Sequence, residues 1–120
     1  MSDFQNVIFA LASEAHIQEA LFPNVAAKGD ELVLEFDEWR NKVDMVSFTQ
    51  LQLATIQQLD AYILSHSGEA FAELYLDTQH LYSSDYWIKV RELAQQVIEA
   101  FGWVYQIPIP WRAIYIGEDT

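Results

Sequence analysis

Residues 84–102 read SDYWIKVRELAQQVIEAFG, and this stretch decides most of the predicted fold. Its apolar side chains recur every three or four positions, which is the period of an α-helix with one buried face. Ser84 is a favoured residue at a helix N-terminus, and Gly102 is favoured just past a C-terminus. Residues 103–116 are apolar and rich in β-branched and aromatic types, which favour strands. A large part of the core is therefore predicted in this third of the chain.

The composition is that of one folded domain spanning residues 1–120. Hydrophobic residues make up 52% of the chain, including four Trp, six Tyr and seven Phe, and this apolar surface offsets the entropy lost on folding. Cysteine is absent, which excludes disulfides, thiolate nucleophiles and cysteine-bound zinc. The chain starts without a basic segment, and its apolar runs are too short to span a bilayer. We therefore expect a cytoplasmic protein.

Charge is the strongest signal in the composition. Eighteen Asp and Glu outnumber six Lys and Arg, which gives a net charge of −12. Such a field repels nucleic-acid phosphates and anionic lipid headgroups, so direct binding to nucleic acid or to a membrane is not expected. The charge suits a basic protein partner or a cation, or it serves solubility alone.

Two capping boxes and a strand-like stretch organise the first half of the chain. Residues 2–5 (SDFQ) and 47–50 (SFTQ) both have the S-x-x-Q form that starts helices. The first helix is predicted to reach about residue 21, with a break near Ser13 as an alternative, and the second to reach about Ser65. Between them, residues 31–39 (ELVLEFDEW) place Leu or Phe at every second position, which is the period of a strand with one face in water.

The remaining segments complete the fold prediction. Residues 70–77 fit a strand or a short helix, because a short apolar run does not settle the period; we favour a strand, since the helices need a sheet to cover. Residues 103–107 and 111–116 are predicted strands, separated by a proline-containing break of the kind found at edges and bends. The predicted fold is α+β, with about three helices packed on a small, mostly antiparallel sheet. An all-α bundle with a C-terminal β-hairpin is the alternative.

The acidic strand is the main candidate for a binding site. It carries Glu31, Glu35, Asp37 and Glu38 and ends at Trp39. Alternation places Glu31, Glu35 and Asp37 in one outward row. Like charges in such a row repel each other unless a cation relieves the repulsion. An exposed Trp beside carboxylates is a typical interface anchor. The predicted function is a non-enzymatic interaction module, of the inhibitor, immunity or adaptor kind, that binds a basic protein partner through these residues; a solvated face without a partner is the simpler alternative.

Binding of a divalent cation is a second prediction from the same acids. A Ca²⁺-type site needs six to eight oxygens that converge from several backbone directions. Asp30, Glu35 or Asp37 would have to be joined by a distant acid, because the sequence has no D-x-D-x-D-G loop. No residue is therefore predicted as a metal ligand.

A small enzyme or ligand-binding domain is a third alternative. The sequence lacks a nucleotide-binding glycine motif and a G-x-S-x-G elbow, so neither a cofactor nor a catalytic residue is predicted. The residues that best resemble an acid–base pair are Glu73 and Asp77, with His66 or His80 nearby. The site would use the aromatic residues of the C-terminal third, which combine apolar rings with polar groups: Tyr82, Tyr86, Trp87, Trp103, Tyr105, Trp111 and Tyr115.

The apolar C-terminal segment also predicts a surface for self-association. Ile88 lies on the otherwise polar face of the helix in residues 84–102. If Ile107, Ile109 and Trp111 joined it in one exposed patch, the patch would favour a homodimer.

Overall fold

The computed structural model describes residues 1–111, and the regular structure in this range is helical. No β-strand occurs among these residues, and none of their helices is long and apolar enough to cross a membrane. The helices are α1 (Asp3–Ala12), α2 (Ala15–Ala20), α3 (Lys28–Lys42), α4 (Gln50–Ser65), α5 (Ala72–Leu76, after a 3₁₀ turn at Glu69–Phe71), α6 (Gln79–Ser83) and α7 (Asp85–Phe101).

The α+β prediction is therefore wrong, and the all-α alternative fits the described helices. Residues 103–107, predicted as a strand, have no regular secondary structure. Of the predicted strand at residues 111–116, only Trp111 lies within the described residues. Trp111 is buried, which places it in the core and not in an exposed dimer patch.

Residues 31–39, predicted as a strand, form most of α3. The alternation conceals a helical period, because Leu32 and Phe36 lie four positions apart and are fully buried, whereas Leu34 between them is 54% exposed. Composition also favours the helix, since Glu, Leu and Arg are good helix formers while Glu and Asp are depleted in strands. Asp30 and Glu31 lie in the first turn of α3 and two basic residues in the last, an arrangement that complements the helix dipole.

Residues 70–77 are also helical, so the favoured strand is wrong and the alternative short helix is right. They form most of the 3₁₀ turn and all of α5. α5 packs against α3, where Gly29 permits a close approach. A Cβ atom on Gly29 would lie 2.9 Å from the Tyr75 backbone and 2.9 Å from the Trp87 ring. Packing against a helix therefore replaces the sheet that the prediction required.

The core forms where α7 packs against α1 and α4, while α1 also packs against α3. The predicted buried face of α7 is confirmed, since seven of its apolar residues are buried and Phe101 is half-buried. Ser84 accepts a hydrogen bond from the Tyr86 backbone N–H, and Gly102 ends the helix with a φ of 68°. The seven buried residues are Tyr86, Trp87, Val90, Leu93, Ala94, Val97 and Ile98.

The two predicted capping boxes have different outcomes. The first is confirmed: Ser2 Oγ accepts from the Gln5 backbone N–H, and the Gln5 side chain accepts from the Ser2 backbone N–H. α1 ends at Ala12 and α2 begins at Ala15, so the single helix to about residue 21 is wrong and the alternative break near Ser13 is confirmed. The second box is displaced, because Thr49, with Gln52 as its partner, caps α4. Thr49-x-x-Gln52 satisfies the same pattern two residues later, so the motif predicted a helix start but not its exact position.

After α7, residues 103–111 lie against α1; we call this segment the C-terminal strap. The Tyr105 hydroxyl lies 2.7 Å from Ser13 Oγ near the end of α1. The Asn6 side chain accepts from the Ile109 N–H at 2.7 Å and donates to the Ile109 carbonyl at 3.1 Å. These contacts pin the strap near both ends of α1 and create concavities on either side of it.

Arg91 fixes the junction between α1 and α2 from the side of α7. Its guanidinium donates to the Ser13 carbonyl at 2.9 Å, to Gln18 Oε1 at 2.9 Å and to the Leu81 carbonyl. Burial lowers the pKa of this guanidinium, although Glu14 opposes the effect. Arg91 thus serves as an internal hydrogen-bond donor. It is one of six Lys and Arg in the chain, so its use in the interior leaves fewer cations to neutralise the eighteen carboxylates.

Candidate functional site

α3 distributes the five predicted site residues over two sides. Glu31, Glu35 and Glu38 are spaced by four and three residues and therefore share one side. Asp37 is rotated by about 200° from Glu35, so the predicted single row of carboxylates is wrong. Asp37 lies 3.6 Å from Arg40 Nη2, and Arg40 Nε also lies 3.1 Å from the Asp60 carboxylate. Asp37 is thus partly neutralised by Arg40, which also pairs with Asp60 of α4.

Trp39 joins the side of Glu35 and Glu38. Its indole N–H donates to Glu35 Oε2 at 3.1 Å, and the ring packs partly against the core. Lys42 Nζ lies 4.8 Å from the Trp39 ring centroid and 2.8 Å from Glu38 Oε1. An ammonium group is therefore held between an aromatic face and a carboxylate, which is the geometry of a cation–π site.

These residues form one wall of a cleft between α1, α3 and the strap, which we call the acidic cleft. Its volume is about 370 Å³. Three carboxylates border it, those of Asp3, Glu35 and Glu38, of which Glu38 is paired with Lys42. No Lys or Arg is in the lining, but Met1, which carries the N-terminal amino group, is. The cleft is lined by Met1, Asp3, Asn6, Glu35, Glu38, Trp39, Ile109, Pro110 and Trp111.

The walls of the acidic cleft are held in place by the core. Trp111 stacks on Phe22 with ring centroids 5.5 Å apart and an interplanar angle of 6°. Ile109 is fixed by its two hydrogen bonds to Asn6. The opposite wall is α3, whose backbone is fixed by helical hydrogen bonds and on which Trp39 is held by its bond to Glu35. Fixing these parts of the wall in advance lowers the entropy cost of binding a ligand.

The surroundings of Glu35 in the acidic cleft disfavour the ionised form of its carboxyl group. Burial raises the pKa of the Glu35 carboxyl, while the hydrogen bond from Trp39 lowers it. The neighbouring carboxylates of Glu38, Glu31 and Asp3 raise the same pKa further. A positive charge that entered the cleft would relieve this repulsion and favour the ionised form of Glu35.

The acids proposed for a divalent cation are not brought together. Asp30 lines a different concavity, beside α5, and Asp37 lies on the far side of α3 from Glu35. Among residues 1–111, no group of three or more His, Asp or Glu side chains has an arrangement that could hold a metal ion.

The aromatic residues proposed for a ligand site are divided among several places. Trp87 is fully buried in the core. Trp103 stacks on Phe101 at 4.3 Å and packs edge-on against Phe9 at 6.0 Å. Trp111 borders the acidic cleft, so it is the member of this group that a ligand there would meet. Tyr115 lies outside the described residues.

Two of the three histidines border a separate concavity of about 510 Å³, which is lined in part by His66, His80 and Glu69. His66 Nδ1 lies 3.0 Å from the Tyr62 carbonyl and 2.9 Å from Ser65 Oγ. A carbonyl oxygen only accepts, so Tyr62 pairs with His66 in the tautomer that carries the hydrogen on Nδ1. Ser65 donates to the same Tyr62 carbonyl at 2.7 Å. Both side chains are thus tied to the end of α4.

Glu35, Glu38 and Trp39, which were among the predicted binding residues, lie together in the structure, but sequence reasoning missed the rest of the acidic cleft. Lys42 follows Glu38 by four residues, so a helical reading of α3 would have found that pair. Asp3 and Ile109 had no such signal, because more than a hundred residues separate them along the chain. Comparisons with protein-family models, with curated proteins and with solved structures give no match.

Proposed function

We propose that this chain is a non-enzymatic interaction module that binds a basic protein partner at the acidic cleft. The observation that carries the proposal is the ammonium group of Lys42, which is already held by the Trp39 ring and the Glu38 carboxylate. The same surface has two further carboxylates, Asp3 and Glu35, which no Lys or Arg in the cleft lining neutralises. The chain thus contains an example of the contact that it would make with a partner.

The chemistry of the cleft favours arginine as the partner residue that enters it. A guanidinium is planar, so it stacks on an indole ring and at the same time donates two parallel hydrogen bonds to carboxylates. Trp39 offers the ring, while Glu35 and Glu38 offer the oxygens. An entering arginine would compete with Lys42 for Glu38, and Lys42 can move into solvent because it is exposed.

A protein is the partner class that the charge favours. A net charge of −12 repels nucleic acids and anionic membranes and accelerates the approach of a basic surface. The cytoplasmic location and the homodimer predicted from the sequence stay predictions. For the homodimer, Val104, Ile107 and Ile109 are exposed on the strap, and sedimentation equilibrium would measure the association state directly.

A fluorescein-labelled dodecapeptide of alternating Arg and Ala tests the proposal. Its affinity for the wild-type chain is measured by fluorescence polarisation at low and at physiological salt. We expect the double variant Glu35→Gln/Glu38→Gln to bind about tenfold or more weakly, which corresponds to about 1.4 kcal/mol. The difference between the two proteins should shrink as salt rises.

The matched control has the same net charge but an intact cleft. It is the double variant Asp37→Asn/Glu92→Gln, whose carboxylates lie on the far side of α3 and on the exposed side of α7. We expect its affinity to stay within about twofold of wild type, since remote exposed charges are screened. If both double variants lose affinity equally, binding reflects net charge alone and the proposal fails.

Substitution of Trp39 separates the ring from its N–H group. Trp39→Phe keeps an aromatic face, so we expect it to keep most of the affinity for the Arg-Ala peptide. Trp39→Leu removes the face and should lose about threefold to tenfold, the range of a cation–π contact. Equal affinities for the Phe and Leu variants would show that the ring takes no part.

A further inference from the structure

A second concavity lies on the other side of the strap, between the α1–α2 junction and α7; we call it the apolar groove. Its volume is about 590 Å³, which is within the range of small-molecule sites. Apolar side chains form much of its surface, and Ile107 of the strap stands at its edge with 69% of its area exposed. The apolar residues of the groove are Ala12, Ile17, Ile98 and Ile107.

The charged residues of the apolar groove are both acidic. Glu14 and Glu99 line it, and no Lys or Arg does. Gln95, Ser13 and Tyr105 supply the remaining polar groups. An apolar surface bordered by carboxylates is complementary to a segment with apolar side chains at its centre and basic side chains at its flanks.

The apolar groove and the acidic cleft share the strap as a common wall. Tyr105 and Ile107 border the groove, whereas Ile109 and Trp111 border the cleft. Ile109 is 63% exposed and continues the apolar surface from one to the other. The groove lies near the end of α1 and the cleft near its start, so about 15 Å of helix axis separates them.

We propose that the apolar groove receives an amphipathic basic helix of the same partner. Aliphatic side chains at positions i and i+4 of that helix fill the groove, while flanking Lys or Arg side chains pair with Glu14 and Glu99. About ten residues further along the helix, which cover about 15 Å, an arginine reaches the acidic cleft. A second copy of this chain does not fit this description, because its net charge of −12 opposes self-association. The identity of the partner rests on the proposed function, but binding in the groove is tested separately.

Two helical peptides of equal length and charge serve as probes. One is a helical Arg-Ala peptide, longer than the dodecapeptide and with its arginines three or four positions apart. In the other, two Ala residues at i and i+4 are replaced by Leu, with an arginine ten residues after position i. We expect the Leu peptide to bind the wild-type chain about tenfold more tightly, through the added apolar contact. A Leu peptide that binds no better than the Arg-Ala peptide overturns the proposal.

The variant Ile107→Asp and its control Ile88→Asp locate the contact. Both add one negative charge at an exposed isoleucine, but Ile88 lies on α7 and does not line the groove. We expect Ile107→Asp to weaken the Leu peptide about tenfold, although the added charge attracts it, and to leave the Arg-Ala peptide bound at least as tightly as to wild type, because that peptide has no apolar contact to lose. Equal effects of the two variants on the Leu peptide would exclude the groove.

The same titrations distinguish this inference from the proposed function. If Glu35→Gln/Glu38→Gln weakens both peptides while Ile107→Asp weakens neither, the acidic cleft binds the partner and the groove does not. If Ile107→Asp weakens the Leu peptide while the cleft variant changes neither, the groove binds apolar segments and the proposed function fails.

Discussion

α1 and α3 pack against each other, yet they differ in almost every property. In α1, all residues from Asn6 to Ala12 are buried, because α3, α7 and the strap cover it from several directions. In α3, four of fifteen residues are buried, and its outer sides carry most of the charge. α1 thus lies almost wholly within the core, whereas α3 contributes Leu32 and Phe36 to the core and presents carboxylates on its outer sides.

The largest expected effect compares one leucine from each helix. Leu11 of α1 is fully buried, and Leu34 of α3 is more than half exposed. We expect Leu11→Ala to lower the free energy of unfolding by about 2–5 kcal/mol, since it leaves a cavity, and Leu34→Ala to change it by less than about 0.5 kcal/mol. Urea unfolding measures both. Similar losses would show that α3 is enclosed as fully as α1.

A smaller effect is expected where α3 itself becomes part of the core. At Gly29, an added Cβ would contact the Tyr75 backbone, which cannot rotate away as a side chain can. We expect Gly29→Ala to cost about 1–3 kcal/mol, although alanine favours helices over glycine by about 1 kcal/mol.

The control for this substitution lies in the same helix. Asn41 is exposed near the end of α3, and Asn41→Ala should raise stability slightly through helix propensity. Thermal unfolding compares the two variants with wild type. A higher Tm for Gly29→Ala would mean that α5 does not approach α3 as closely as the structure shows.

The smallest expected effect concerns the carboxylate of Glu35. Its pKa is raised in the folded chain, so between its ordinary pKa and the raised value the folded state retains a proton that the unfolded state has lost. Stability therefore falls as pH rises through this window, and the cost is fully present above it. Glu35→Gln removes the charge but still accepts from Trp39. We expect it to match wild type in acid and to be more stable at neutral pH by less than about 1 kcal/mol, because solvent screens a half-buried group.

Thermal unfolding at pH 4 and pH 7 checks this expectation, with Glu92→Gln on the exposed side of α7 as the control. The same linkage applies to binding: a bound cation favours ionised Glu35, so affinity for the Arg-Ala peptide should fall as pH drops through the raised pKa. A Glu35→Gln variant that is less stable than wild type at pH 7 would contradict the repulsion inferred for the acidic cleft.

The sequence predicted the helices well where one face is apolar over many turns. In α7, the period of 3.6 is repeated often enough to exclude a strand, and both its caps have residues with strong preferences. In residues 31–39 and 70–77, the apolar residues are so few that both periods fit. Composition could have corrected the first of these segments, because a strand dense in Glu and Asp opposes β propensity.

Some residues of the acidic cleft could be predicted from the sequence and others could not, and the difference has a physical cause. Glu35, Glu38 and Trp39 are local in sequence, so either a strand or a helix would have kept them close. The position of Asp37 depends on whether the segment is a strand or a helix. In a strand it lies on the same side as Glu35, whereas in a helix a rotation of 100° per residue moves it to the opposite side. The contact of Asn6 with Ile109 bridges the whole chain and leaves no local pattern.

The sequence by itself determined a small, acidic, aromatic-rich domain, the buried face of α7 and the first helix cap, because these depend on composition and on residues within a few turns. Only the tertiary structure decided which side of α3 is buried, that α1 is enclosed, and that the strap forms the acidic cleft and the apolar groove. These features arise from contacts between residues far apart in the chain, and their free energy is gained only when the helices pack.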